Sequence, residues 1–307
     1  MGVAITGLGV ALPERVVTND DFAKYLDTSD QWITERTGIH ERRFGGTTGE
    51  LATEAGRNAL KDAGVDASEI DLVLLATSTP DAAMPPTAAW VHAQLGVKGG
   101  VADINVACAG FVYALSAAQG MILGGLGKVL VIGADTLSRI TDQQDRSTAV
   151  LFGDGAGAVV VEKTEGDNQL LAADLRADGS LTDILRCNTG GTIKMRGQEV
   201  YKAAVLLCTA SIKATLQTAG LQASDIDVFV PHQANVRIID AISTRVGIAP
   251  DAAAIALDKT GNTSAASIPL ALGVAAEQGR LKDGAIVLLC GFGAGMTIGT
   301  QIWRWGK

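Results

Sequence analysis

The sequence has 307 residues, 47% of them hydrophobic and 4% aromatic, with 37 glycines and a formal net charge of −8. That length buries a sizeable core and sets an expectation of one or two domains, and the apolar fraction excludes disorder. No apolar stretch reaches the ~18–20 residues of a membrane span, and the acidic balance disfavours a broad nucleic-acid surface, leaving only a local basic patch open.

The opening MGVAITGLGV lacks the basic region and cleavage site of a secretory signal. It fits a loose myristoylation pattern through Gly2 and Thr6, but a buried first strand is the preferred reading. Further along, NALKDAGVDASEID at 58–71 reads as a helix ending at Gly64, an Ala-Ser turn and the start of the strand LVLLAT. Then ADINVACAGF predicts a short strand, 102–106, running into a helix whose first turn holds Cys108. A helix N-terminus offers free backbone N–H groups and a favourable dipole, so a thiol with a lowered pKa is expected there. GKVLVIG, from Gly127, reads as a buried strand, and GDGAGAVVVE at 153–162 as a turn before one rather than a phosphate loop.

The second part of the chain repeats this plan. ATLQTAGLQASDID at 214–227 matches 58–71 at an offset of 156, aligning Leu60 with Leu216, Gly64 with Gly220 and Asp71 with Asp227. GAIVLLCG, from Gly284, pairs with GKVLVIG at nearly the same offset. Two matches in the same order point to duplication, giving βα-rich halves at about 1–164 and 165–307. Without a Pro- or Ser-rich linker, the halves are expected to pack as one rigid body.

Reactive residues fall at equivalent places in the two copies. DVFVPHQAN ends a strand at His232, where open α/β folds place ligands. KTGNTSAASIP puts Asn262 in the turn before a helix, the counterpart of the turn that carries Cys108. Of the other histidines, His40 in GIHERR reads as surface and His92 in AAWVHAQLG as structural. The closing LLCGFGAGMTIGTQIW mimics a dinucleotide loop at Gly291, Gly293 and Gly295, but a β-like segment follows where a helix is needed. Small residues there suit close backbone approach to a reacting carbonyl. The four cysteines, at 108, 187, 208 and 290, contain no CxxC pair, so neither a metal site nor a disulfide framework is expected and a reducing cytoplasm fits.

With these segments in view, the chain resembles the β-ketoacyl-acyl-carrier-protein synthase III family, of the thiolase-like condensing-enzyme fold. The motifs are SDQWITERTGIHERR (29–43), ACAGF around Cys108, DRSTAVLFGDGAGA (145–158), VPHQANVRII (230–239), KTGNTSAASIP (259–269) and GFGAGMTIG (291–299). The resemblance implies an α/β fold whose duplicated halves form a five-layered α-β-α-β-α sandwich. It implies a Cys108 nucleophile with His232 and Asn262, and an oxyanion hole from the N–H groups of Cys108 and Ala294. The family often has glycine at the last position. Coenzyme A contacts would fall on Trp32, Arg146, Gly197 and Asn235, and carrier-protein docking on Lys202, Arg237 and Arg245. Met84 would close the acyl pocket across a dimer interface.

The implied activity is decarboxylative condensation of an acyl-CoA primer with malonyl-acyl carrier protein, initiating fatty acid synthesis. The alternative is a related acyltransferase of secondary metabolism with another acceptor. No metal or redox cofactor is expected, and the implied partners are acyl-CoA, malonyl-acyl carrier protein and a second copy of the chain, with no membrane or nucleic acid.

Overall fold

A computed structural model describes residues 2–165 and 169–306. The first half contributes strands β1 (Gly2–Ala11), β2 (Leu72–Ala76), β3 (Gly100–Ile104), β4 (Lys128–Thr136) and β5 (Asp154–Thr164). They form sheet I in the order β1-β5-β4-β2-β3, with β2 parallel to β3 and β4, and β5 antiparallel to β4 and β1. The second half contributes β6 (Leu170–Ala177), β7 (Val228–Pro231), β8 (Ile286–Gly293) and β9 (Thr297–Arg304). These form sheet II in the order β7-β8-β9-β6, with β7 parallel to β8 and the rest antiparallel. The core order and strand directions of the two sheets are therefore the same.

Helices α1 (Asp30–Thr37), α2 (Thr48–Ala63), α3 (Thr87–Leu95), α4 (Gly110–Leu123), α5 (Gly197–Ala219), α6 (Val236–Val246) and α7 (Ser267–Glu277) complete the frame. Helices α2 and α3 cover the outer face of sheet I, and α5 and α6 cover sheet II. Between the sheets lie α4 and α7, where Phe111, Leu115, Ile268 and Leu272 pack with Val131, Val159, Leu289 and Trp303. This is the five-layered arrangement. With both faces covered, strands such as β4 and β8 read as continuous apolar runs instead of alternating ones.

The repeat is visible atom by atom. Gly64 and Gly220 end α2 and α5 at φ 68° and 69°, a left-handed conformation that spares only glycine a Cβ clash. Each N–H bonds back to the last turn of its helix. Asp71 Oδ2 then accepts the N–H groups of Gly127 (2.6 Å) and Lys128 (3.0 Å) at the entry to β4, and Asp227 Oδ2 accepts that of Ile286 (2.8 Å) at the entry to β8. The repeated Asp thus fixes the register of a parallel strand pair in each sheet.

Three local expectations shift. Strand β3 begins at Gly100 and ends at Ile104, and Cys108 lies in a 3-10 turn, Ala107–Ala109, just ahead of α4. Residues 154–162, expected as a turn, are already strand, because sheet I uses β5 to join β1 to β4.

Candidate active site

The two central helices begin at the same place. The Cys108 turn before α4 packs against the Ser264–Ala266 turn before α7 and against the end of β8. The approach of β8 demands glycine: a Cβ on Gly293 would lie 2.6 Å from Cys108 N and 3.0 Å from Ala107 Cβ. Gly293 of the glycine motif therefore serves backbone packing on the Cys108 turn, a use the sequence reading, which had small residues approaching a reacting carbonyl, did not name. Among the described residues, the non-glycine positive-φ positions are Ala107 (47°) and Ser264 (53°), in these two turns, and Met296 (29°), in the 3-10 turn Ala294–Met296 that follows β8. Left-handed backbone at non-glycine residues costs on the order of 1–3 kcal/mol each and persists where surrounding structure enforces it.

A cavity of about 590 Å³ opens over this junction, and Cys108, His232, Asn262 and Ala294 all line it. His232 is 2% exposed; its N–H donates to Cys290 O (2.8 Å), its Nδ1 meets Ser267 Oγ at 2.6 Å, and its ring stands edge-on to Phe292. Burial drives its pKa from 6.5 down to about 3, so the imidazole is neutral at physiological pH. Asn262, 7% exposed, accepts the Ser264 N–H on Oδ1 at 2.9 Å, which leaves its amide NH2 group as the donor. Burial pushes the Cys108 thiol up to about 12, against a hydrogen bond from Ser264 and with the Asp135 charge adding to the rise. The expected lowered thiol pKa is not found, because desolvation outweighs the turn's N–H groups.

Beneath the junction is Asp135, fully buried at the end of β4. Its Oδ1 accepts from Thr77 Oγ1 (3.1 Å), Ser78 N (2.7 Å), Thr79 N (3.0 Å) and Thr79 Oγ1 (2.8 Å), and its Oδ2 accepts from Ala265 N (3.1 Å). It joins the end of β2 to the turn before α7 across the two halves. Sequence reading missed it: it follows an apolar run by two residues, and its partners come from two distant segments. It also missed Gln233, which is buried and clamps Pro231 O, Ala254 O and the N–H groups of Ala256 and Leu257.

The cavity mouth gathers other residues singled out in the sequence. Trp32, Arg146, Gly197, Lys202, Asn235 and Arg237 line it. The Arg36 and Arg146 guanidiniums lie over the Trp32 ring at 4.7 and 4.8 Å, and Asn235 ties the start of α6 to the end of α1 by donating to Arg36 O at 2.9 Å. Arg36 is a mouth residue the sequence reading left out. Arg245, near the end of α6, and Met84, 83% exposed, stand apart from the cavity lining.

Comparison with known proteins follows the same outline. The family model "3-Oxoacyl-[acyl-carrier-protein (ACP)] synthase III" matches residues 102–179, and that of its C-terminal part matches 216–305. A β-ketoacyl-[acyl-carrier-protein] synthase III of Brucella anthropi is 48% identical, covering 98% of each chain. The chain belongs to the β-ketoacyl-acyl-carrier-protein synthase III family. The synthase III structure from Aquifex aeolicus superposes with a TM-score of 0.97 at 45% identity, covering 99% of this chain and 100% of that one. A priming β-ketosynthase from the R1128 polyketide pathway superposes at 0.95 with 34% identity, covering 100% of this chain and 97% of that one. The family's thiolase-like architecture is the five-layered frame described above. No helix among the described residues is long and apolar enough to cross a membrane.

Proposed function

We propose that this chain condenses an acyl-CoA primer with malonyl-acyl carrier protein, through an acyl thioester on Cys108, to initiate fatty acid synthesis. The observation that carries the reading is the convergence of Cys108, His232 and Asn262, from three separate segments, on one cavity at the start of both central helices. In the first stage Cys108 sulfur attacks the acyl-CoA carbonyl, the N–H groups of Cys108 and Ala294 receive the oxyanion, and CoA leaves. In the second, a malonyl thioester enters and loses CO2. Its enolate oxygen takes hydrogen bonds from His232 Nε2–H and the Asn262 NH2 group, and its carbanion attacks the acyl-Cys108 carbonyl.

The surroundings support these roles. The role needs the Ser267 hydroxyl to donate in its 2.6 Å contact with Nδ1, which would place the His232 proton on Nε2; burial keeps the ring neutral, so it would offer a donor without an imidazolium charge. Trp32 with Arg146 suits a stacked adenine and its phosphates, and Asn235 and Gly197 line the channel toward Cys108. Lys202, Arg237 and Arg245 give an acidic carrier a basic landing area on an otherwise acidic protein. The cycle calls on no metal or redox cofactor. The exposed Met84 suits a residue that completes the acyl pocket of a second copy, in a cytoplasmic homodimer of chains each built from the halves 1–164 and 165–307.

The similarity to a polyketide-priming ketosynthase favours one second reading, an acyltransferase of secondary metabolism with a different acceptor. Intact-protein mass spectrometry with a panel of acyl-CoAs separates the two. An adduct absent from Cys108→Ala and discharged by malonyl-acyl carrier protein with CO2 release supports condensation. An adduct that malonyl-carrier does not discharge supports the second reading, and no adduct overturns both.

A further inference from the structure

Asn262 belongs to the second half of the chain, but the first half holds it in place. Its N–H donates to Leu151 O at 2.8 Å, and its carbonyl accepts the Gly153 N–H at 3.0 Å. Its side chain is fixed by the residues that follow: the Ser264 N–H donates to Asn262 Oδ1 at 2.9 Å, which leaves the NH2 group to the cavity. That bond comes with Ser264 at φ 53°, an angle that persists only with outside support. The support arrives one residue later, where the Ala265 N–H donates to Asp135 Oδ2 at 3.1 Å. Strand β4 presses on the same turn two residues before Asp135, since a Cβ on Gly133 would run into Ala265 O. The buried Asp135 carboxylate is acceptor-only, which suits five uncharged donors. Oδ1 takes four of them, from Thr77, Ser78 and Thr79, and so anchors the group to the end of β2, while Oδ2 carries the turn.

We propose that Asp135 is a positioning residue for Asn262: through the Ser264–Ala265 backbone it aims the Asn262 NH2 group at the thioester oxygen of the malonyl substrate. The inference rests on the proposed condensation and adds to it a residue that touches no substrate. It assigns Asp135 to the second stage alone. The oxyanion donors of the first stage, the N–H groups of Cys108 and Ala294, sit in turns that follow β3 and β8, and Asp135 bonds to neither. His232 also stands outside this chain of bonds, held by Ser267 and by Cys290 O. The carboxylate of one half thus sets a donor of the other, and the decarboxylating step depends on how the halves are joined.

Asp135→Asn is the informative variant because it keeps the shape and breaks one side. Four donors hold the amide oxygen toward β2, so its NH2 group faces the Ala265 N–H and only the bond to the turn is lost. Two rates are read in the full chain: Cys108 acylation by acetyl-CoA and butyryl-CoA, followed by intact-protein mass spectrometry, and CO2 release when malonyl-acyl carrier protein meets the acylated protein. Acylation is expected to stay within about twofold of wild type while CO2 release falls on the order of 10- to 100-fold. In an Asn262→Ala background the same change costs no more than about twofold, because a residue that acts through Asn262 has nothing left to position. Thr77→Val, which removes one Oδ1 donor and keeps the carboxylate, is a milder lesion expected to lower CO2 release by about fivefold with the same dependence on Asn262. Equal losses in both steps, or a loss that persists in full without the Asn262 side chain, would make Asp135 a structural tie and overturn the inference. So would CO2 release at the wild-type rate in Asp135→Asn. Those results leave the condensation standing, whereas a wild type that releases no CO2 refutes the proposed activity and this inference with it.

Discussion

Because burial holds His232 near a pKa of about 3 against an ordinary 6.5, folding competes with its protonation. Between those two values the unfolded chain binds the proton and the folded one does not, so stability falls as pH drops through the window. From pH 7 to pH 5 this single group removes about 2 kcal/mol of stability. Replacing His232 by Gln, which cannot titrate, is expected to shrink the fall in Tm between those pH values relative to wild type. Equal falls in calorimetry would mean the ring is not held neutral. At this scale the sequence was informative where chemistry clusters in short motifs: Cys108, His232 and Asn262 each stand in a segment whose neighbours announce a strand end or a helix start. It was silent on Asp135, whose bond to Ala265 joins residues 130 positions apart, and on the positive φ of Ser264, a backbone angle no residue type encodes.

The end of β8 is the element on which the Cys108 turn leans. A methyl group at Gly293 meets Cys108 N and Ala107 Cβ inside normal contact distance, and both belong to a turn already held at positive φ. Gly293→Ala is therefore expected to displace the turn by a fraction of an ångström. Near-attack geometry is sensitive to such shifts, so Cys108 acylation should slow by about 100-fold while the circular dichroism spectrum is retained. Acylation at the wild-type rate would show that the turn and the strand are not coupled. The glycine spacing at 291–295 was legible as something other than a dinucleotide loop because a strand follows it, but its packing against the Cys108 turn was not, since that turn lies far away in the chain. The strand character of 154–162 was not, since glycine-rich sequence reads as turn wherever the pairing that straightens it lies far away in the chain, here with β1 and β4.

Across the whole molecule the repeat read at 58–71 and 214–227 reappears as two sheets of one topology, down to the Asp71 and Asp227 bonds that start β4 and β8. The sandwich was legible because both copies retain their helix-stop glycines and buried runs. One difference was not: sheet I carries β3 beside β2, while beside β7, among the described residues, there is a single bridge between Phe229 and Ala253. Sedimentation equilibrium is expected to give twice the chain mass, and a value of one chain mass would count against the proposed homodimer. The missing strand also bears on how such a pair ends. The stretch at 251–254 is pinned over the rim of β7 by Gln233 and by Arg280, whose guanidinium grips the carbonyls of Asp251, Ala252 and Ala253. A neighbour can therefore lay a strand along this side of sheet I but not along the matching side of sheet II. In the proposed homodimer a single two-fold partner would use up this one rim, and the sheets would not run on by this route into a fibre.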